Sequence, residues 1–558
     1  MAFHHKDRKD LHRFPTELPR HTNHHPATKR NRRHSPFWQK LFAGSSSVAA
    51  VFLLLLLLLL PDQTHGRQTP THSSSLSEPP PLTFSPRGLT NTFQISIFED
   101  LHFGENAWEK WGPLQDASSI RVMNSVLDSE PSTNLVVLNG DLITGENTFK
   151  ENSTAYIDQI VEPMVRRGLT WASTYGNHDS AFNLSREGLF KEEKKWLSSR
   201  TGRMVLGTDE EAGVTNYYLP IYPARCEKNN MNPKVVQRRA ARRQPWYYRW
   251  AFLKNLVNIN ININNFYPNQ NQNRNQNQQQ TASDGDGCDT PALILWFFDS
   301  RGGTKYQQRH PKTGRFLSEP NWVHQSVVDW FKSTSASIAA KAGGGAIPSI
   351  GFVHIPTNAS LALQQGGQQQ GGQQQQQGGG VDAHRQPGIN DDQPLSQQGQ
   401  GWCANGTNDE GCDYGEQDVP FMEAIASVPG VMALFSGHDH GNTWCYRWDG
   451  KVPGVQQKDE GEGEGNGDGY EHGHGRGIDL CFGQHTGYGG YGSWIRGSRQ
   501  IVVDQEDLKE FAIRTHIRLE NGEIVGAVTL NATYGQDRYP ATPNDKTHLA
   551  DPALQQFR

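Results

Sequence analysis

Five short motifs hold the side chains best suited to bind metal or move a proton: Asp100-Leu101-His102, Gly140-Asp141, Gly176-Asn177-His178-Asp179, His354 and Gly437-His438-Asp439-His440. Each falls at the end of an apolar run: FQISIFED, NLVVLNGD, LTWASTYGN, SIGFVHIP and VMALFSGHD. Runs of this length and composition read as buried strands. Open α/β sheets collect ligand sites at strand carboxyl ends, so five such termini can converge on one point. Carboxylate oxygens, imidazole nitrogens and an amide oxygen suit Mn, Fe or Zn ions. Two ions about 3.5 to 4 Å apart, bridged by one carboxylate, can hold a hydroxide for in-line attack on phosphorus. Taken singly, Asp100 or Asp141 reads as readily as a helix cap. A lone His354 after a strand reads as a hydrogen-bonded core residue. The series carries what no single motif does.

The elements that must position these residues alternate. ALILWFFDS adds a sixth strand, and helical spacing spans Ser118 to Leu127, Ala155 to Arg166, Arg186 to Leu197 and Trp322 to Lys332. FAIRTHIRLENGEIVGAVTLNAT predicts a hairpin turning at Asn521-Gly522. Strands alternating with helices predict an α/β layered fold. Asp299 and Arg301 in FFDSRGG fit a place facing the site and a strand-end turn equally well. His485, in the Gly/Tyr-rich GQHTGYGGYGSW, is a candidate to line a substrate cleft, with a structural loop role equally open.

The rest of the 558 residues bound the problem. Fourteen Trp, 24 Phe and 16 Tyr suffice for one large core, and a net charge of -5 offers no broad basic surface for nucleic acid. Residues 1–40 hold ten Lys or Arg against three Asp or Glu and read as a basic disordered tail; nine scattered histidines before Pro81 are no metal tract. Leu41 to Leu60, ending in eight leucines, is long enough to cross a bilayer, with the preceding charge keeping the N-terminus cytosolic. It reads either as a type II signal anchor or as a signal peptide cut near Thr64-His65-Gly66, and both send the rest of the chain into the secretory pathway. A Pro/Ser/Thr-rich linker (61–90) precedes a domain at 91–535. Asn, Gln and Gly-rich tracts near 229–287, 364–400 and 459–475 read as loop insertions, and 536–558 as a tail. Six cysteines, none in a CxxC motif, fit an oxidising lumen; their pairing stays open among 15 connectivities, of which a Cys226 to Cys288 bridge would close the first insert at its base. Sequons at Asn152, Asn183, Asn358, Asn405 and Asn531 fit a glycoprotein.

In order and spacing the motifs resemble the calcineurin-like metallophosphoesterase superfamily. FEDLHFGENAW, GDLITGEN, YGNHDS, VHIP, GHDHGN and LCFGQHTGYGGYGSWIRGSRQ resemble its purple-acid-phosphatase-like branch of fungi and plants, over roughly Phe93 to Asn531. The resemblance implies a sandwich of two mixed β-sheets flanked by helices. It implies one ion held by Asp100, His102, Asp141 and His440, and a second by Asp141, Asn177, His354 and His438. His178 takes the place of the histidine that contacts the phosphoryl oxygen or protonates the leaving group, with Asp179 orienting or tuning it. Two departures stand out: Thr144 occupies the position of the tyrosine ligand of true purple acid phosphatases, and His102 is present where they normally lack it. The metal pair therefore stays open among Mn, Fe and Zn. Glu99, where many relatives carry a small residue, is expected to face solvent.

The implied activity is hydrolysis of phosphomonoesters, on a small molecule or a phosphoprotein, by a metal-bridging hydroxide. A phosphodiesterase or nucleotidase on the same core, and a membrane-tethered protein that binds a phosphorylated ligand without turnover, are the alternatives. The oligomeric state is not legible.

Overall fold

The computed structural model describes residues 79–87, 90–205, 212–227, 288–366, 380–392, 399–402, 413–452 and 477–547. The basic tail, the Leu41–Leu60 run and most of the three inserts lie outside them. Among the described residues no helix is long and apolar enough to cross a membrane.

The described residues form two seven-stranded sheets. One runs in the order β1 (Leu82–Thr83), β6 (Tyr217–Tyr222), β7 (Leu293–Phe298), β10 (Ser349–Val353), β11 (Val431–Ser436), β13 (Ile478–Phe482) and β12 (Cys445–Trp448). The other runs β16 (Ile524–Leu530), β15 (Ile513–Leu519), β14 (Gly497–Asp504), β3 (Thr90–Phe98), β4 (Leu135–Asn139) and β5 (Thr170–Thr174), with β2 (Ser85–Arg87) also pairing β3. Both are mixed. β3, β4 and β5 pair in parallel, as do β7, β10, β11 and β13, while β14, β15 and β16 are antiparallel. A small ribbon of β8 (Thr304–Arg309) and β9 (Phe316–Ser318) stands apart.

The uninterrupted apolar runs are explained by burial on both faces. Side chains alternate along a strand, so Ile95, Ile97 and Val137 meet Leu295, Phe297, Phe352 and Phe435 between the sheets. Their neighbours Phe98, Val136 and Leu138 point outward under α1 (Gly112–Ser129) and α2 (Tyr156–Arg167), which contribute Val122, Val126, Ile160 and Met164. On the far side Ile294, Trp296 and Phe298 pack against Phe331 of α4 (Gln325–Lys341) and Phe421 of α6 (Val419–Ser427). α3 (Arg186–Glu193) and α5 (Asn358–Gln365) follow β5 and β10. The result is the layered sandwich of two mixed sheets flanked by helices. Each buried Phe of these layers contributes about 1.5–3 kcal/mol.

All six expected strands form, and the hairpin turns at Gly522, whose φ of +89° only glycine adopts freely. The helix expected from Arg186 to Leu197 ends at Glu193. β14 escapes a search for apolar alternation because its buried residues include Ser498, Arg499 and Gln500. These are satisfied inside the sandwich: Arg499 donates to Phe482 O at 2.6 Å and Ser498 to Ile97 O at 2.6 Å. Within the second insert, 380–392 is packed against the domain: Ile389 is buried and exchanges backbone and side-chain hydrogen bonds with Thr443. Disulfides join Cys226 to Cys288, the two cysteines that bracket the first insert, and Cys445 to Cys481 across β12 and β13.

Candidate metal centre

The carboxyl ends of β3, β4, β5, β10 and β11 lead into the five motifs, and sheet pairing brings them together. Past β3, Asp100 N–H bonds Gly140 O at 3.1 Å, while the amides of Leu101 and His102 bond Asp141 O at 2.8 and 3.0 Å. Gly437 N–H bonds His354 O at 3.0 Å, tying the end of β11 to β10. Asp100, His102, Asp141 and His438 all have left-handed backbones, with φ of 52°, 49°, 48° and 74°. For residues with a Cβ this costs on the order of 1–3 kcal/mol each, and such strain concentrates at functional sites. Glycines make room: a Cβ on Gly176 would lie 2.2 Å from Asp141 Oδ1, and one on Gly140, φ +92°, 2.4 Å from the His354 ring.

The side chains fall into two buried groups. Asp100, His102 and His440 present atoms within 4.8 Å of one another, and so do Asp141, His354 and His438. Asp141 stands between them: its Oδ2 is 3.0 Å from His354 Nε2 and 3.9 Å from His102 Nε2. His440 Nε2 lies 3.5 Å from Asp100 Oδ1. Nδ1 of His354 donates to Asn139 O at 2.8 Å, and Nδ1 of His440 to Tyr491 O at 2.9 Å. With Nδ1 protonated, Nε2 is left as the electron-pair donor. His102 Nδ1 sits 3.1 Å from Thr144 Oγ1. The two departures noted in the sequence thus meet: the residue in the tyrosine position holds the additional histidine. Asn177 Oδ1 and His438 Nε2 are buried with no hydrogen-bond partner among the described residues. Buried polar atoms are rarely left so, and both are atoms that ligate cations; the donor set fits a pair of ions.

Burial alone would raise the Asp141 carboxyl, but His354 and His178 hold it well below the usual carboxylate range. Nδ1 of His178 donates to Glu146 Oε1 at 2.6 Å, and the His178 side chain is 35% exposed. Burial disfavours its charged form, yet Glu146 and Asp141 outweigh that and carry its pKa up to about 10. Asp179 helps to raise the His178 pKa through its charge but does not reach the ring. It is fully buried and accepts the amides of Leu142, Ile143 and Gly176 at 2.8–3.0 Å, so it pins the loop carrying Asp141 to that carrying Asn177. Glu146, not Asp179, touches His178. The sequence passes over Glu146 because nothing in its spacing links it to a histidine 32 residues later.

Glu99 does not face solvent. It is buried, accepts from Asn139 Nδ2 at 3.0 Å, and has its carboxyl pushed well up, first by burial and then by Asp100. His485 is buried against His440, ring centroids 3.8 Å apart; its Nδ1 accepts from Arg496 at 2.7 Å and its Nε2 lies 3.2 Å from Gly489 O. Both ring nitrogens are thus engaged within the protein rather than turned to a cleft. On the other face of His440, Tyr491 stacks at 4.0 Å. Asp299 and Arg301 form a buried turn behind Asn177, where Gly302 would, with a Cβ, approach the Asn177 Cβ to 2.9 Å.

The calcineurin-like phosphoesterase family model matches residues 97–442. An uncharacterized protein of Schizosaccharomyces pombe is 31% identical over 137 residues, which are 23% of this chain and 25% of that protein. Among solved structures, a dimetal phosphatase from Danio rerio is similar over 79% of this chain and 99% of its own, with a TM-score of 0.39 and 10% identity. A purple acid phosphatase from yellow lupin (Lupinus luteus) seeds is similar over 84% of this chain and 59% of its own, with a TM-score of 0.31 and 11% identity. With the family model covering the strands and loops that carry both buried groups, the chain belongs to the calcineurin-like phosphoesterase family.

Proposed function

We propose that the chain hydrolyses phosphomonoesters with two transition-metal ions from among Mn, Fe and Zn. Asp100, His102, Asp141 and His440 hold one, and Asp141, Asn177, His354 and His438 the other. The observation that carries this reading is the pair of buried ligand groups with Asp141 between them. Bound ions would supply an activated water and neutralise charge on the phosphoryl oxygens. The chain's own residues do the rest. Asn139, Tyr491 and Thr144 orient three imidazoles, and Asp179 fixes the two loops. Glu146 accepts a hydrogen bond from Nδ1–H of His178 and stabilises the charged ring. Nε2 then carries a proton that it can share with a phosphoryl oxygen or give to the leaving oxygen.

The domain works on the lumenal or extracellular side of a secretory membrane, either anchored by Leu41–Leu60 or released when that segment is cleaved. The Cys226–Cys288 and Cys445–Cys481 bridges support an oxidising compartment. The test is metal content and turnover of p-nitrophenyl phosphate and bis-p-nitrophenyl phosphate by the chain from a secretory host, beside Asp141→Asn. About two ions per chain and a fall of at least ~10²-fold in the variant are expected. Preference for the diester would replace the monoesterase reading, ions without turnover would favour a binding protein, and a folded chain free of metal would overturn the centre.

A further inference from the structure

A cavity of about 360 Å³ lies between the loops that follow β3 and β4, outside the ligand groups. Trp108 and Phe149 wall it and remain 60% and 63% exposed. Large aromatic faces left in water beside one cavity mark a place where a ligand completes the burial. The walls are held in place. Asn106 N–H donates to Asn147 Oδ1 at 3.1 Å, joining the two loops, and Gly104 N–H donates to the buried Asp116 carboxylate at 3.2 Å. Asn147 and Asp116 both line the cavity, as does Gln159, so polar groups accompany the rings. Asn147 directly follows Glu146, whose carboxylate holds His178. The cavity therefore borders the loop whose Glu146 carboxylate holds His178.

We infer that this cavity is a leaving-group subsite that accepts a planar ring, aryl or nucleobase, carried by the alcohol of the phosphoester. Trp108 and Phe149 supply stacking surface, while Asn147, Asp116 and Gln159 supply hydrogen-bonding groups for ring substituents. The inference rests on the proposed hydrolase and on His178 serving the leaving group. Binding of phenylphosphonate and methylphosphonate to the metal-loaded full chain, by calorimetry, tests it without turnover. The phenyl ligand is expected to bind at least about fivefold more tightly, and in Trp108→Ala/Phe149→Ala the phenyl-to-methyl ratio falls to about one. Equal binding in the wild type, or an unchanged ratio in the variant, overturns the subsite. Turnover of phenyl phosphate, adenosine 5′-monophosphate and glycerol phosphate separates aryl from nucleobase by which substrate's KM the double variant raises. A phosphonate preference in a wild-type chain that turns over none of these esters would sink the hydrolase and the leaving-group role with it, whereas turnover without the preference would sink the subsite alone. Asn152, the exposed asparagine of a sequon, shares the cavity lining. A ring preference that appears only in Asn152→Gln would give the cavity to a glycan and overturn the inference.

Discussion

Arg186 is the side chain whose loss should be felt most widely. It is 3% exposed, and its Nη1 meets Glu319 Oε2 at 2.6 Å while Nε lies 3.4 Å from Asp299 Oδ1. Nη2 donates to Gly176 O at 2.8 Å and Gly302 O at 2.9 Å, so one guanidinium holds the loop before Asn177 against the turn behind it. Arg186→Met keeps most of the volume but leaves two buried carboxylates and two carbonyls without this partner. Breaking a buried pair costs about 3–5 kcal/mol, because the remaining charge stays desolvated. That is a large part of the ~5–15 kcal/mol that holds a domain folded. With an m-value of about 3 kcal/mol/M or more for a chain of this size, the urea midpoint should fall by about 1 M. Tryptophan fluorescence reads the transition, and Arg186→Met/Glu319→Gln should recover part of the loss by removing one stranded charge. A midpoint shift below about 0.3 M at unchanged m would refute the argument.

Three further outcomes follow from contacts described above. Thr144→Val keeps shape but removes the hydroxyl at His102 Nδ1, and metal affinity by competition with a chelator should drop about 10–100-fold; unchanged affinity would mean the hydroxyl orients nothing. Glu146→Gln leaves His178 without its charged partner, so kcat should fall about tenfold or more for alkyl phosphates, whose leaving oxygen needs a proton, and less for p-nitrophenyl phosphate; equal losses would remove His178 from the leaving-group step. Burial opposes ionisation of Glu130, but His516, Gln94 and Arg518 outweigh it and hold its pKa at about 2. A depressed folded-state pKa stabilises above the unfolded value near 4.5 and is lost as pH falls towards 2. The stability gap between wild type and Glu130→Gln should therefore narrow by about 3 kcal/mol across that window, and a gap independent of pH in urea melts would contradict it.

What the amino-acid order determined by itself is local. Apolar runs such as LVVLN and LILWFF must be buried on both faces, and that demand carried the strands, the layered fold and the placement of every motif at a strand end. The ligand candidates were legible because Asp, Asn and His recur at those ends, five times in series. Tertiary structure decided what depends on residues far apart in the chain. β14 is a central strand because its polar side chains find partners on β3, β13 and β15, which no periodicity announces. Asp179 became a loop clamp and Glu146 the partner of His178 because loop closure, not spacing, sets those distances. Glu99 and His485 went inside for the same reason: Asn139 and Arg496 supply the hydrogen bonds that keep each in a buried place. Hydrophobic patterning is written residue by residue, whereas the satisfaction of a buried polar atom is settled only when two distant segments meet.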